Sequence, residues 1–427
     1  MKTIRCSACF VITLLFFNPA LAQGLSPTEQ LGKSVFMDES LSLYSNQSCA
    51  SCHGGQAGWT GPISDLNLYG AVYEGSNAGS FGNRKPPSAA YATQSPVFSF
   101  HRQGGGLFIG GNFWDGRATG EKLGNPAADQ AQGPFLNPLE QALPDNACVV
   151  YFVCGAAYPV SLDDVYPGAC DIDWPVDIDT QCAPPGGIVS LDEATAAQVE
   201  GAYDNIALSI AAYEASPEVN AFSSKYDAYL AGAVDLSPEE KQGLKLFNGK
   251  GKCSRCHTSK KKKEQPPLFT DYSFDNLGVP RNIYNPVYES QGFDWVDNGL
   301  GEFLASRVEY AGMAEDHKGA QKVPTLRNVD LRPDPDFVKA YAHNGYFKTL
   351  KGIVHFYNTR DVKPTCDDPF ATEAEAMSLG CWPEPEVDEN VNDGELGNLN
   401  LSDVQEDAIV AFLKTLSDGY VVAVSYT

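Results

Sequence analysis

The strongest constraint on this chain is that it carries one plan twice. Leu25-Ser26-Pro27-Thr28-Glu29, with Gly32 and Phe36, recurs as Leu236-Ser237-Pro238-Glu239-Glu240, with Gly243 and Phe247, at a constant offset of 211 residues. In each copy a Ser at the N-cap, a Pro at the first helical position and a Glu three residues past the Ser form the signature of a capping box that opens an amphipathic helix. Each predicted helix leads into a cysteine motif, Cys49-Ala50-Ser51-Cys52-His53 in the first copy and Cys253-Ser254-Arg255-Cys256-His257 in the second. An Ala-rich stretch from Ser190 to Ser216 predicts a long helix closing the first half. Ser402 to Leu416, with Gln405 at the box position, predicts a shorter one closing the second.

Both motifs have the form C-x-x-C-H. Two thiols at this spacing form thioethers to the vinyl groups of a haem, and the adjacent imidazole is then placed to ligate its iron. A zinc site needs four ligands, and each motif offers three close together. Cys49, Cys52, Cys253 and Cys256 are therefore expected to attach two covalently bound haem c groups, with His53 and His257 as proximal iron ligands. The expected fold is mainly α: two cytochrome c-like haem domains with long irregular loops, at 23–220 and 221–427. Beyond the first residues, Met occurs only at Met37, Met313 and Met377, too few in ligand-like loops for a pair of ordinary His/Met electron carriers.

The compartment follows from the N-terminus and the remaining cysteines. Lys2 and Arg5, an apolar run from Ala8 to Phe17 and Ala20-Leu21-Ala22 predict a secretory signal peptide over 1–22. No later segment is long and apolar enough to span a bilayer, so an exported, soluble protein of the periplasm is expected. Losing the leader removes two basic residues and no acidic one, moving the formal charge from -24 to -26. That charge disfavours nucleic acid and favours a basic partner. Six cysteines lie outside both leader and motifs, an even number that predicts disulfides in an oxidising compartment. In the C-terminal part Cys366 and Cys381 are the nearest pair, whereas Cys148, Cys154, Cys170 and Cys182 admit three connectivities.

Further motifs carry a family resemblance. Phe113-Trp114-Asp115-Gly116-Arg117-Ala118, Gln130-Ala131-Gln132-Gly133-Pro134 and Asn137-Pro138-Leu139-Glu140 resemble the N-terminal domain of bacterial dihaem cytochrome c peroxidases and of MauG. Leu268-Phe269-Thr270-Asp271, Val323-Pro324-Thr325-Leu326-Arg327-Asn328, His343-Asn344-Gly345 and Phe412-Leu413-Lys414-Thr415-Leu416 follow the order of the same family's second half. The resemblance implies peroxide chemistry at the N-terminal haem, with Glu140 as distal acid/base and Gln130 as its neighbour. A carboxyl above an open iron can move a proton from the inner to the outer peroxide oxygen. Trp114 resembles the tryptophan that relays electrons between the two haems.

Two departures shape the expected enzyme. Peroxidases that need reductive activation carry a His between the first haem motif and the Pro-Ser segment, here Pro87-Ser88, and residues 54 to 100 contain none. The first iron is thus expected to be permanently open, with His101 the nearest alternative ligand. At the second haem, the position fourteen residues past His343 is Met in the peroxidases and Tyr in MauG; here it is Tyr357, with Met313 the best substitute. A phenolate ligand stabilises ferric iron and lowers the potential. The family also binds Ca2+ between the haems, and the resemblance carries that site to Asn83 and the carbonyls of Val338 and Ala340. The electron source is expected to be a c-type cytochrome, a cupredoxin or, as in MauG, a protein substrate being modified. A non-catalytic dihaem carrier is the rival from another class. Lys260-Lys261-Lys262-Lys263, after the second motif, is a basic cluster that reads as a solvated loop or a steering patch.

Overall fold

The computed structural model of the protein describes residues 24–102, 106–261 and 265–422. The predicted leader over 1–22, with Lys262 and Lys263 of the basic cluster, lies outside the described residues. Helices and irregular loops dominate. The few strands form two small antiparallel pairs, Ser99–His101 with Leu107–Ile109 and Phe274–Asp275 with Gln321–Lys322.

Both duplicated helices form where their caps predict, at Pro27–Met37 and Pro238–Asn248. Ser26 and Glu29 close one capping box and Ser237 and Glu240 the other, each satisfying two of the backbone N–H groups that a helix start leaves unpaired. The closing helices are Glu193–Ala215 and Asp403–Lys414. The long one begins later than predicted because the Asp192 carboxylate, instead of a Ser, accepts the N–H groups of Ala194 and Thr195.

In each half the opening helix crosses the closing helix at a glycine. A Cβ on Gly32 would lie 1.8 Å from the carbonyl oxygen of Ser209, and one on Gly243 would lie 1.9 Å from that of Ala408. Such backbone contact is open to glycine alone. One apolar core surrounds the first crossing, with Leu31, Val35, Phe36, Ile206 and Ile210, and another surrounds the second, with Phe247, Phe269, Ala408 and Phe412. A third cluster joins residues from both halves, among them Phe98, Phe108, Leu300 and Leu304. Arg327 also ties the halves: it forms two bonds to the Asp227 carboxylate and stacks on Tyr91 and Phe222.

The disulfides are Cys148–Cys182, Cys154–Cys170 and Cys366–Cys381. The first pins the helix Asn146–Gly155 to the short helix Ile178–Cys182, and the second pins it to the segment between them. Among the described residues only the four motif cysteines remain free.

The glycine crossings yield a paired expectation. Gly32→Ala should lower the unfolding free energy by about 3 kcal/mol through overpacking. Gly201→Ala, on the Glu193–Ala215 helix where an added Cβ meets nothing within 4 Å, should raise it by up to ~1 kcal/mol. Denaturant titration of the two variants, referenced to the parent, would contradict this packing if the two changes were alike.

Candidate functional site

Each helix–cysteine unit opens onto a cavity, and the two cavities are near twins, about 240 Å³ in the first half and 230 Å³ in the second. Cys49, Cys52 and His53 line one; Cys253, Cys256 and His257 line the other. The backbone at each motif makes a tight turn in which the His N–H donates to the carbonyl of the first Cys, at 3.0 Å for His53 and 2.9 Å for His257. Nδ1 of His53 pairs with the carbonyl of Trp59 at 3.2 Å, and Nδ1 of His257 with that of Phe269 at 2.8 Å. A carbonyl partner fixes the proton on Nδ1 and leaves Nε2 free as a ligand. Burial lowers both imidazoles, His53 to about 4, so each stays neutral as metal ligation requires. Burial also pushes the Cys52, Cys253 and Cys256 thiols up to about 12. Two thiols beside one available imidazole fit the covalent attachment of a haem.

In the first cavity the structure brings Glu140 and Gln130 together with His53. Gln130 is carried by the helix Pro126–Leu136, capped by Asn125, and Glu140 sits in the turn that ends it, its N–H bonded to the Asn137 carbonyl. Burial raises the Glu140 carboxyl, opposed by the bond from Asn137 Nδ2 at 3.1 Å and by Arg117, which stacks 3.9 Å over Phe113. His53 is the only imidazole among the described residues of this cavity, and no Met lines it. His101 lies exposed on a strand beside Ser99 and lines neither cavity.

Trp114 is buried and lines both cavities. Its indole N–H donates to the Lys85 carbonyl at 2.8 Å, and its own carbonyl accepts from Lys322 N at 2.7 Å, so neighbours on both sides fix the ring. In the second cavity Tyr357 projects from the helix Leu350–Thr359, its phenol pushed up chiefly by burial. Met37 is exposed, Met313 packs against the third cluster and Met377 against the second core; none of them lines a cavity.

Of the residues carried to a calcium site, Asn83 lines the first cavity and Ala340 the second. The Asn83 carbonyl accepts from Asn285 Nδ2 at 2.7 Å and that of Val338 from Asn67 Nδ2 at 3.0 Å. Lys85 and Lys339 also place ammonium groups here. Lys339 bonds the carbonyls of Ala57, Asn328 and Leu331, and Lys85 bonds Thr60 and the Pro86 carbonyl. Lys260 and Lys261 are exposed.

Glu214 is a site residue that the motifs did not point to. This carboxyl sits on the buried face of the Ala-rich helix and lines the first cavity, and burial raises it to about 8. A buried acid in an otherwise apolar helix face was its one trace. Beside the second motif, Asp275 and Glu395 stand with Cys256, their ligand atoms within 4.8 Å of one another, and burial raises Asp275 to about 6. No helix among the described residues is long and apolar enough to cross a membrane.

Comparison with known proteins places this geometry. The family described as di-haem cytochrome c peroxidase matches residues 26–235. Methylamine utilization protein MauG of Paracoccus denitrificans is 34% identical over 391 residues, 91% of this chain and 88% of that protein. Cytochrome c551 peroxidase of Nitrosomonas europaea is 26% identical over 328 residues, 76% of this chain and 71% of that protein. The crystal structure of the diheme peroxidase BthA from Burkholderia thailandensis is similar with a TM-score of 0.69 at 27% identity, covering 94% of this chain and 89% of that one.

Glu214 gives a pH expectation. Because its folded value is raised, the folded state holds this proton more tightly than the unfolded chain does. The associated stability is complete below the ordinary value of 4.5 and is lost as pH rises through about 8. Glu214→Gln cannot ionise, so its melting temperature should pull ahead of the parent's as pH climbs through that window. Parallel melting curves at every pH would show that the carboxyl is not desolvated.

Proposed function

Because the chain belongs to the di-haem cytochrome c peroxidase and MauG family, we propose that it reduces hydrogen peroxide in its first cavity and exchanges electrons through its second. It is a peroxidase-type oxidoreductase; the assignment of steps to its two cavities is the proposal. In this reading two cytochrome c-like haem domains, 23–220 and 221–427, act in the periplasm, with His53 and His257 as iron ligands. The observation that carries it is the composition of the first cavity: one imidazole, no Met, and the pair Glu140 and Gln130.

Haem supplies the iron at which the O–O bond breaks and the store for the oxidising equivalents. The protein's own task is to move protons and hold geometry. Heterolysis requires one proton to leave the inner oxygen and reach the outer one, so that the outer oxygen departs as water. Glu140, held by Asn137 and raised by burial, can accept and return that proton. Gln130 offers an amide N–H to the outer oxygen, and Arg117 offsets negative charge near Glu140. Trp114, common to both cavities, offers an aromatic step between them.

A second reading, oxidative modification of a protein as in MauG, is favoured by Tyr357. A phenol in the second cavity with no Met there would supply an oxygen ligand that holds ferric and more oxidised states. The two readings share peroxide and differ in the reductant, a small donor protein or a side chain of a protein partner.

Mixing ferric protein with peroxide in stopped flow should perturb the Soret band without prior reduction, and Glu140→Gln should slow that change by roughly 100-fold while keeping both haems. A band that moves only after one haem is reduced, or a Gln variant as fast as the parent, would remove the open site or Glu140 from the mechanism. For the second cavity, Tyr357→Met should raise the potential of one haem in a redox titration, because a thioether favours ferrous iron. If neither potential rises, Tyr357 is not a ligand.

A further inference from the structure

From Trp114 the wall between the cavities continues into a buried polar chain that the peroxide mechanism does not use. The ring of His343 stands edge-on to Trp114 with centroids 6.5 Å apart. Its Nε2, buried and without a hydrogen-bond partner, lies 3.7 Å from Oε2 of Glu386. The other Glu386 oxygen accepts from the Tyr288 hydroxyl at 2.9 Å and from the Asp297 backbone N–H at 3.3 Å. Asp297 is neutralised by a two-bond contact from Arg84, which also reaches Asp115. Tyr288 lines neither cavity and is only 2% exposed. Its ring lies nearly parallel to Phe293 at 6.0 Å and edge-on to Trp295 at 6.1 Å. Phe293 is 55% exposed, and Trp295 is half-buried beside it. The chain thus runs from the inter-cavity tryptophan to the surface, with oxidisable rings at Tyr288 and Trp295.

We propose that Tyr288 is a redox-active residue that carries an oxidising equivalent from the inter-cavity wall to the surface at Trp295, with Glu386 as its proton acceptor. The inference rests on the peroxide-reducing reading, which supplies the oxidant. Reduction of peroxide to water leaves two oxidising equivalents in the protein. Tyr288 fills one of them: an electron leaves its phenol by way of His343 and Trp114, and its proton passes to the Glu386 carboxylate along the 2.9 Å bond. The products are a neutral phenoxyl and a neutral Glu386 carboxyl: the charge of the pair rises from -1 to zero as the electron leaves, and no cation is left behind. Without the carboxylate, oxidation would leave a cation in a low-dielectric interior, which is strongly disfavoured. An electron arriving through Trp295 from a reductant too large to enter either cavity restores the phenol, and the proton returns from Glu386. The exposed end at Phe293 and Trp295 then defines where a macromolecular one-electron donor acts.

The test is freeze-quench EPR of the ferric dihaem protein mixed with stoichiometric peroxide, with ordinary and ring-deuterated tyrosine incorporated. A tyrosyl signal that narrows on deuteration is expected, lost in Tyr288→Phe and slower to appear in Glu386→Gln. Phe keeps the stacked ring, so the variant should retain the parent's near-UV circular dichroism; if it does not, spin-trap mass spectrometry of the unmutated protein should place the adduct on Tyr288. In Trp295→Phe the signal should outlive that of the parent. A tyrosyl signal unchanged in Tyr288→Phe, an adduct elsewhere, or a Soret change with no tyrosyl signal would overturn the route alone. No Soret change in the parent, either fully ferric or after one haem is reduced, would overturn the peroxide reading and the route together.

Discussion

The architecture depends on a backbone contact made twice. Where the opening helix of each half crosses the closing helix, the only side chain that fits is a hydrogen, at Gly32 against Ser209 and at Gly243 against Ala408. Four residues on, Phe36 and Phe247 are fully buried, so each crossing is a small backbone contact with an aromatic wedge beside it. The cysteine motifs follow later in the chain, Cys49 beyond the turn Glu39–Leu41 and Cys253 just past the helix that ends at Asn248. Helix packing at a glycine therefore fixes where the thiols and the imidazole of each unit stand before any prosthetic group is considered. The cavities come out alike because the crossings are alike.

What differs between the halves is the chemistry set into that shared frame. The first cavity collects acids at Glu140 and Glu214, with burial raising both. The second sets Tyr357 on its own helix and is lined by Asp275, Asp297, Glu386 and Glu395, while tyrosines line both cavities. Between them the wall carries two buried lysines, although the protein as a whole is acidic. Lys85 and Lys322 line both cavities without a carboxylate partner, their ammonium groups bonded to hydroxyl, amide and carbonyl oxygens, and burial lowers them to about 8 and about 7. Burial disfavours the charged form of both lysines, and a neighbouring anion would favour it. Net charge is thus a poor guide to the field at the site.

Much of the site was legible because its signals are local. A capping box and a C-x-x-C-H turn each involve residues close in sequence, so Ser26, Ser237, His53 and His257 could be placed from pattern alone. The later start of the Glu193–Ala215 helix shows the limit: Ser190 and Asp192 are both competent caps, and the choice between them lies in how the preceding loop packs. The pairing of Cys148 with Cys182 and of Cys154 with Cys170 was open for a similar reason, since spacing does not say which thiols meet.

By itself the sequence determined that the chain is a duplicated, largely helical protein with two haem-type attachment turns, because short-range hydrogen bonding and helix periodicity dictate those features. Only the tertiary structure decided that Trp114 belongs to both cavities, that Glu214 faces the first, that no Met among the described residues reaches the second, and that Tyr288 bonds Glu386. Each of these is a meeting of residues tens to hundreds of positions apart, and loops rich in Gly and Pro carry no periodic signal from which such meetings could be read. Burial completes the division: a carboxyl or an ammonium has its ordinary acidity in a sequence, and acquires another only when the fold takes its water away.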